Sequence, residues 1–186
     1  MIIYLEGPDG SGKTTLLDNI AHLMSDLKVN YYRDAKKLVS TYPQDPNRLT
    51  ERQLFAALRK MTKSNYVYII DRCVISDIVY RVFDNYKPVT ILHKVIEFLK
   101  KYNNRVFLVY CRTDKAEKYM LERGDNNPIA VTKHKEISRV FDLVMSEIAA
   151  NIKYNYYKYD FTKKRSLNEL LSMISYFVYM RYEGNE

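Results

Sequence analysis

Along the chain, short unbroken apolar runs alternate with longer segments whose apolar residues recur every three or four positions. An unbroken run of four to eight residues marks a strand buried on both faces, and the three-to-four repeat marks a helix with one buried side. Strands are predicted over residues 2–6 (IIYLE), 66–71 (YVYIID), 105–111 (RVFLVYC) and 154–161, with a weaker one over 28–33. Helices are predicted over 13–25, where Leu16, Leu17, Ile20, Leu23 and Met24 share one side, and then over 50–63, 76–85, 89–102, 114–123, 136–151 and 166–182. Two of these open on a hydroxyl residue with Gln or Glu three positions later, Thr50/Gln53 and Ser166/Glu169, the spacing of a capping box. Residues 124–135 are polar and read as a loop. Strands separated by helices imply an α/β protein in three layers, a five-stranded parallel sheet with helices on both faces. Ligands of such sheets lie beyond the carboxyl ends of the strands, which draws attention to Gly7, Asp71 and Cys111.

Composition narrows the class of protein. At 186 residues, 47% apolar and 28% charged, the chain can build a sizeable core, and no repeat or Pro/Gly/Ser-rich linker divides it, so residues 1–186 are expected to form one domain. The longest apolar runs fall well short of the ~18 residues a membrane span needs, and a strand-like run at Ile2 leaves no room for a secretory leader. Cys73 and Cys111 lack the spacing of a disulfide framework or a metal site and are expected to be reduced thiols in a cytoplasmic protein. Thirty basic against 22 acidic residues leave a net charge of +8, which favours an anionic partner.

Gly7-Pro8-Asp9-Gly10-Ser11-Gly12-Lys13-Thr14 matches G-x-x-x-x-G-K-[ST] in full, between an apolar strand and an amphipathic helix. Glycines let the backbone curl around an anion so that successive N–H groups face phosphate oxygens, and the helix behind adds the positive end of its dipole. Lys13 is placed to charge-pair the β- and γ-phosphates and the Thr14 hydroxyl to ligate Mg²⁺, so ATP and Mg²⁺ are the expected cofactors. Gly7, Asp9, Gly10, Ser11, Gly12, Lys13, Thr14 and Thr15 form the candidate nucleotide cradle.

EGPDGSGKTT (6–15), followed at the end of another strand by DRCVISDIVY (71–80), resembles the thymidylate kinase family of P-loop nucleoside monophosphate kinases. The resemblance spans most of the chain in length and element order, with its specific motifs in about a sixth of it. It implies a P-loop kinase fold, a small-molecule nucleotide substrate, a homodimer, and transfer of the γ-phosphoryl of ATP to a pyrimidine deoxynucleoside monophosphate, dTMP first among them. By the same resemblance, Asp9 approaches the sugar 3′-hydroxyl, Arg72 contacts the phosphates being joined and Asp71 lies near Mg²⁺. Phe55 and Arg59, four apart on one helix face, would read the base by stacking and by a hydrogen bond, and Tyr80 would crowd the 2′ position. Ser76 belongs to the same acceptor set. Gly10 stands where some members carry an arginine. The members lacking it take a catalytic arginine from a lid, here about residues 123–136; the candidates are Arg123 first and then Arg139 just beyond that segment, with Lys133 and Lys135 nearby.

The chain departs from that pattern in two places. After Tyr42-Pro43 the family commonly shows an arginine that holds the monophosphate. Gln44 and Asp45 stand here instead, leaving Arg33 and Arg48 as substitutes. Asp77 beside Ser76 also resembles deoxynucleoside kinases, in which that aspartate reads the base, so a nucleoside acceptor is the alternative. A nucleic-acid-binding P-loop protein is a further alternative, suggested by the charge and by YNYYKY (154–159). Those tyrosines fall on a predicted strand and the lysines scatter, so nucleic acid is not the expected partner.

Overall fold

The computed structural model describes residues 1–32, 51–83, 89–124, 132–152 and 155–182. Its elements are β1 (Ile2–Glu6), α1 (Lys13–Leu23), β2 (Val29–Tyr32), α2 (Glu51–Lys63), β3 (Val67–Asp71), α3 (Val74–Val82), α4 (Val89–Lys101), β4 (Val106–Cys111), α5 (Ala116–Glu122), α6 (His134–Asn151), β5 (Tyr156–Tyr159) and α7 (Lys164–Tyr182). All strand pairs are parallel and the sheet order is β2-β3-β1-β4-β5. The expected five-stranded α/β sheet is therefore present. Thr50, the 33–50 segment with its candidate phosphate-holding arginines, and residues 125–131 of the expected lid lie outside the described residues.

The alternation of side chains along each strand divides the core in two. Ile2 and Tyr4 of β1 and Val106, Leu108 and Tyr110 of β4 face a cluster built with α2, α3, α4 and α6. Ile3 and Leu5, with Phe107, Val109 and Cys111, face α1 and α7 on the other side. Because both faces are covered, β1 and β4 read as unbroken apolar runs rather than alternating ones. The tyrosines of β5 pack in the same way, Tyr159 buried and Tyr156 and Tyr157 half-buried against the two clusters, as strand residues should.

Several boundaries differ from the sequence pattern, and two of the helix starts have a visible cause. Helix α3 opens at Val74, two residues early, because the Cys73 N–H donates to the Glu6 carboxylate at 2.8 Å, a cap supplied by another strand. Helix α7 opens at Lys164, so Ser166 and Glu169 do not form a capping box. The Ser166 hydroxyl accepts from the Asp160 N–H at 3.3 Å and Glu169 accepts from the Tyr157 hydroxyl at 2.9 Å, tying the helix to the preceding strand. Helix α6 begins at His134, inside the segment that reads as loop.

Phe55 lies on the buried side of α2, its ring 6.0 Å from that of Phe98 on α4 and tilted by 60°. Truncation there empties a core position. Phe55→Ala is expected to cost about 3–5 kcal/mol, read as a lower urea midpoint at an unchanged slope. A loss below about 1 kcal/mol would show that the ring is not core.

Candidate nucleotide-binding site

The loop between β1 and α1 is folded by close contacts that only glycine permits. A Cβ on Gly7, whose φ is +146°, would stand 2.1 Å from the Cys111 carbonyl oxygen. At Gly10, φ +72°, it would stand 2.5 Å from the Ala116 carbonyl oxygen. Helix α5 thus occupies the space a side chain at position 10 would need. Gly12 is the N-cap of α1 and supplies no side chain to cap it, and no acidic residue stands in the first turn. The first N–H groups of α1 thus meet no capping side chain at the N-cap, an arrangement that suits an anion.

Lys13 is buried, and its Nζ donates to the Pro8 carbonyl at 2.6 Å and to the Ser11 hydroxyl at 3.1 Å. Ser11 in turn donates to the same Pro8 carbonyl at 2.7 Å. Burial, reinforced by the nearby Arg72 guanidinium, lowers the ammonium pKa to about 7; Asp9 and Asp71 pull in the opposite direction. Thr14 and Thr15 are exposed at the start of the helix.

The end of β3 supplies the second half of the site. Arg72 has φ +58°, a left-handed backbone uncommon for a side chain other than glycine, and its guanidinium is buried. It forms an ion pair with Asp9 and donates to the Tyr80 hydroxyl at 3.3 Å, while that hydroxyl donates to the other Asp9 oxygen at 3.0 Å. Burial alone would lower the arginine pKa. Tyr80, Asp9, Asp71 and Glu6 outweigh it and hold the group charged. Burial also raises the Tyr80 hydroxyl to about 12, so it is a neutral donor at physiological pH. Asp71 is buried one residue before Arg72, and Ser76 and Asp77 are buried on the first turn of α3.

Sequence elements 60 or more residues apart therefore meet: Asp9 and Lys13 from the loop, Asp71 and Arg72 from β3, Ser76 and Tyr80 from α3. His134 joins them unannounced by any local pattern. It is buried at the start of α6 with Nε2 3.3 Å from the Asp9 carbonyl oxygen. The other expected lid bases, Arg123, Lys133, Lys135 and Arg139, are exposed, with the Lys133 ammonium 5.6 Å from the Phe83 ring. Phe55 and Arg59 line a groove of about 530 Å³ between α2 and α4, with Phe98 and Lys101, and no described contact brings either to the loop.

For a metal ion the donors are hard oxygens, the accessible Thr14 hydroxyl and the Asp71 carboxylate. Among the described residues no cluster of three or more metal-ligating side chains exists. That set suits Mg²⁺, which is commonly held by one or two carboxylates together with substrate phosphates.

No protein-family model and no curated protein matches the sequence. Solved structures do match in fold. YorR of Bacillus subtilis, in complex with phosphorylated GDP, shares 20% identity over 98% of each chain at a TM-score of 0.60. Deoxyadenosine kinase of M. mycoides with bound dATP shares 14% identity over 94% of this chain and all of its own, at 0.53. Shikimate kinase of Acinetobacter baumannii in complex with shikimate shares 18% over 96% and 93%, at 0.50. The chain has the α/β fold of the P-loop kinases. No described helix is long and apolar enough to cross a membrane.

The buried Lys13 makes stability depend on pH in a defined direction. An unfolded chain keeps its lysine protonated up to about 10.5, whereas the native group loses its proton near 7. Between those values the unfolded chain binds one more proton, so this group's contribution to stability is lost as pH falls from about 10.5 through about 7. Lys13→Met is expected to be more stable than wild type at pH 7, by a margin that shrinks at pH 8 and again at pH 9. Urea unfolding of both proteins at the three pH values measures it, and a margin independent of pH would show that the lysine is not desolvated.

Proposed function

We propose that the protein transfers the γ-phosphoryl group of ATP to a pyrimidine deoxynucleoside monophosphate, with dTMP the first candidate. The observation that carries this reading is the Asp9–Arg72–Tyr80 cluster at the mouth of the phosphate loop. A generic phosphate loop has no use for a carboxylate beside the phosphates it binds, because the charges repel. A hydroxyl donor on the acceptor sugar would take the place of Arg72 at Asp9 once the guanidinium turns to the phosphates.

In this reading the loop N–H groups and Lys13 hold the β- and γ-phosphates, and Lys13 gives up the Pro8 carbonyl for them. Thr14 and Asp71 would hold Mg²⁺ together with the donor phosphates, and the bound ion supplies charge neutralisation there. Arg72 exchanges its ion pair with Asp9 for the phosphates being joined, which a planar fork of donors can bridge. An acceptor phosphate oxygen forms the new bond to the γ-phosphorus as the bond to the β–γ bridging oxygen breaks, and ADP leaves. A lid base, Arg123 first, adds charge over the moving group. Positioning and charge stabilisation are what this reaction asks of a protein. Tyr80, held beside Asp9 and edge-on to Phe141 at 6.2 Å, fills the space next to the sugar 2′ carbon.

A second reading, a deoxynucleoside acceptor, is favoured by Asp77. A buried carboxylate on the first turn of α3 accepts hydrogen bonds only, and would suit a base that presents an amino group.

An ADP-release screen of the deoxynucleosides and their monophosphates, with ATP and Mg²⁺, separates the two. Turnover of dTMP is expected; turnover of a deoxynucleoside without its monophosphate would move the assignment to the second reading, and silence with all acceptors would remove both. Lys13→Ala is expected to lower kcat at least ~10³-fold in a folded protein.

The same assay tests the sugar. The ratio of kcat/KM for ribo- over deoxyribonucleotide is expected to rise about tenfold in Tyr80→Ala and to stay low in Tyr80→Phe, because exclusion depends on the ring. An unchanged ratio in Tyr80→Ala would show that another group reads the sugar.

A further inference from the structure

Glu6, the last residue of β1, is a fully buried carboxylate. Its Oε1 accepts from the Cys73 N–H at 2.8 Å and its Oε2 from the Ser76 hydroxyl at 2.5 Å. Burial pushes its pKa up. The two hydrogen bonds, with Arg72 and Lys13, pull it back. A buried carboxylate is costly, and an apolar residue would serve the packing better. The place of its two bonds gives the reason for it.

Residue 72 sits in the left-handed region, a conformation that persists only where its surroundings over-determine it. β1 grips the chain on both sides of that residue. The Arg72 N–H donates to the Leu5 carbonyl at 2.9 Å, and the next N–H, of Cys73, donates to the Glu6 side chain. The bond to Ser76 then fixes the first turn of α3, the helix that carries Tyr80 one turn later. We propose that Glu6 is a positioning residue, acting through the Arg72 turn: it holds that turn in its left-handed form and so keeps the guanidinium aimed across the phosphate loop.

The kinetic arm of the test rests on the phosphotransfer reading; a second arm does not. Glu6→Gln can keep both contacts, its oxygen accepting from Cys73 and its amide donating to the Ser76 hydroxyl, while Glu6→Ala keeps neither. In Glu6→Ala, kcat is expected to fall about 100-fold with KM for ATP within about threefold of wild type. Glu6→Gln is expected to recover kcat to within about fivefold of wild type. Wild-type kcat in a folded Glu6→Ala protein overturns the proposal. So does a Gln variant as slow as Ala, which would make the charge, not the grip, the operative property.

If Glu6→Ala does not fold, Ser76→Ala, which removes one contact of the two, is expected to lower kcat by about three- to tenfold; undiminished kcat there overturns the proposal as well. The second arm follows the Arg72 Nε–H by ¹H–¹⁵N NMR in the presence of ATP and Mg²⁺. Slow hydrogen exchange is expected in wild type and Glu6→Gln, and at least tenfold faster exchange in Glu6→Ala or, failing that, Ser76→Ala. Equal protection in all overturns the proposal. This signal reports even if no acceptor is phosphorylated, an outcome that would remove the phosphotransfer reading alone.

Discussion

The arrangement rests on the central place of β1. It is hydrogen-bonded to β3 on one side and β4 on the other, so its carboxyl end emerges between two neighbours whose own ends lie level with it. Gly7 must then pass directly over the Cys111 carbonyl, and only a residue without Cβ can. The loop that follows is held by what it leans on: α5 under Gly10 and Phe161 under Gly12. A phosphate cradle is a run of backbone N–H groups in a fixed curve, and here the curve is imposed by packing against other elements as well as by the glycines themselves.

Around that curve the charges are stored against one another. Lys13 is tied back to its own loop, and Arg72 is tied to Asp9. Both basic groups are buried, where an unpartnered charge is costly. Incoming phosphates would substitute for partners already present, so the site has its donors in place and exchanges hydrogen bonds instead of creating them. Asp9 is held by Arg72, by Tyr80 and by the approach of His134 to its carbonyl.

Much of this was legible in the sequence wherever a feature is local. The cradle is eight consecutive residues between a strand and a helix, and the parallel sheet follows from the alternation of apolar runs with amphipathic segments. Asp71, Arg72 and Tyr80 reach the loop because they follow a strand end, which topology alone brings into the crevice. What escaped has long sequence separation and a generic residue type. Glu6 caps a helix 67 residues away, and His134 meets Asp9 across 125. Neither a glutamate ending a strand nor a histidine in a polar stretch announces such a partner. Phe55 and Arg59 show the converse: spacing put both on one helix face, but a face has neighbours, and the one that turned toward Phe55 was Phe98.

The ring of Phe161 beneath Gly12 has a consequence for how the molecule is made. The cradle ends at Thr14, yet one of the surfaces shaping it, the Phe161 ring, is encoded 147 residues further along the chain. At ~5–20 residues per second that interval is on the order of ten seconds or more. β1 likewise waits for β3 and β4 to flank it. The phosphate-loop motif is thus synthesised well before the ring that shapes it, and for that interval the nascent chain carries the motif without the completed loop.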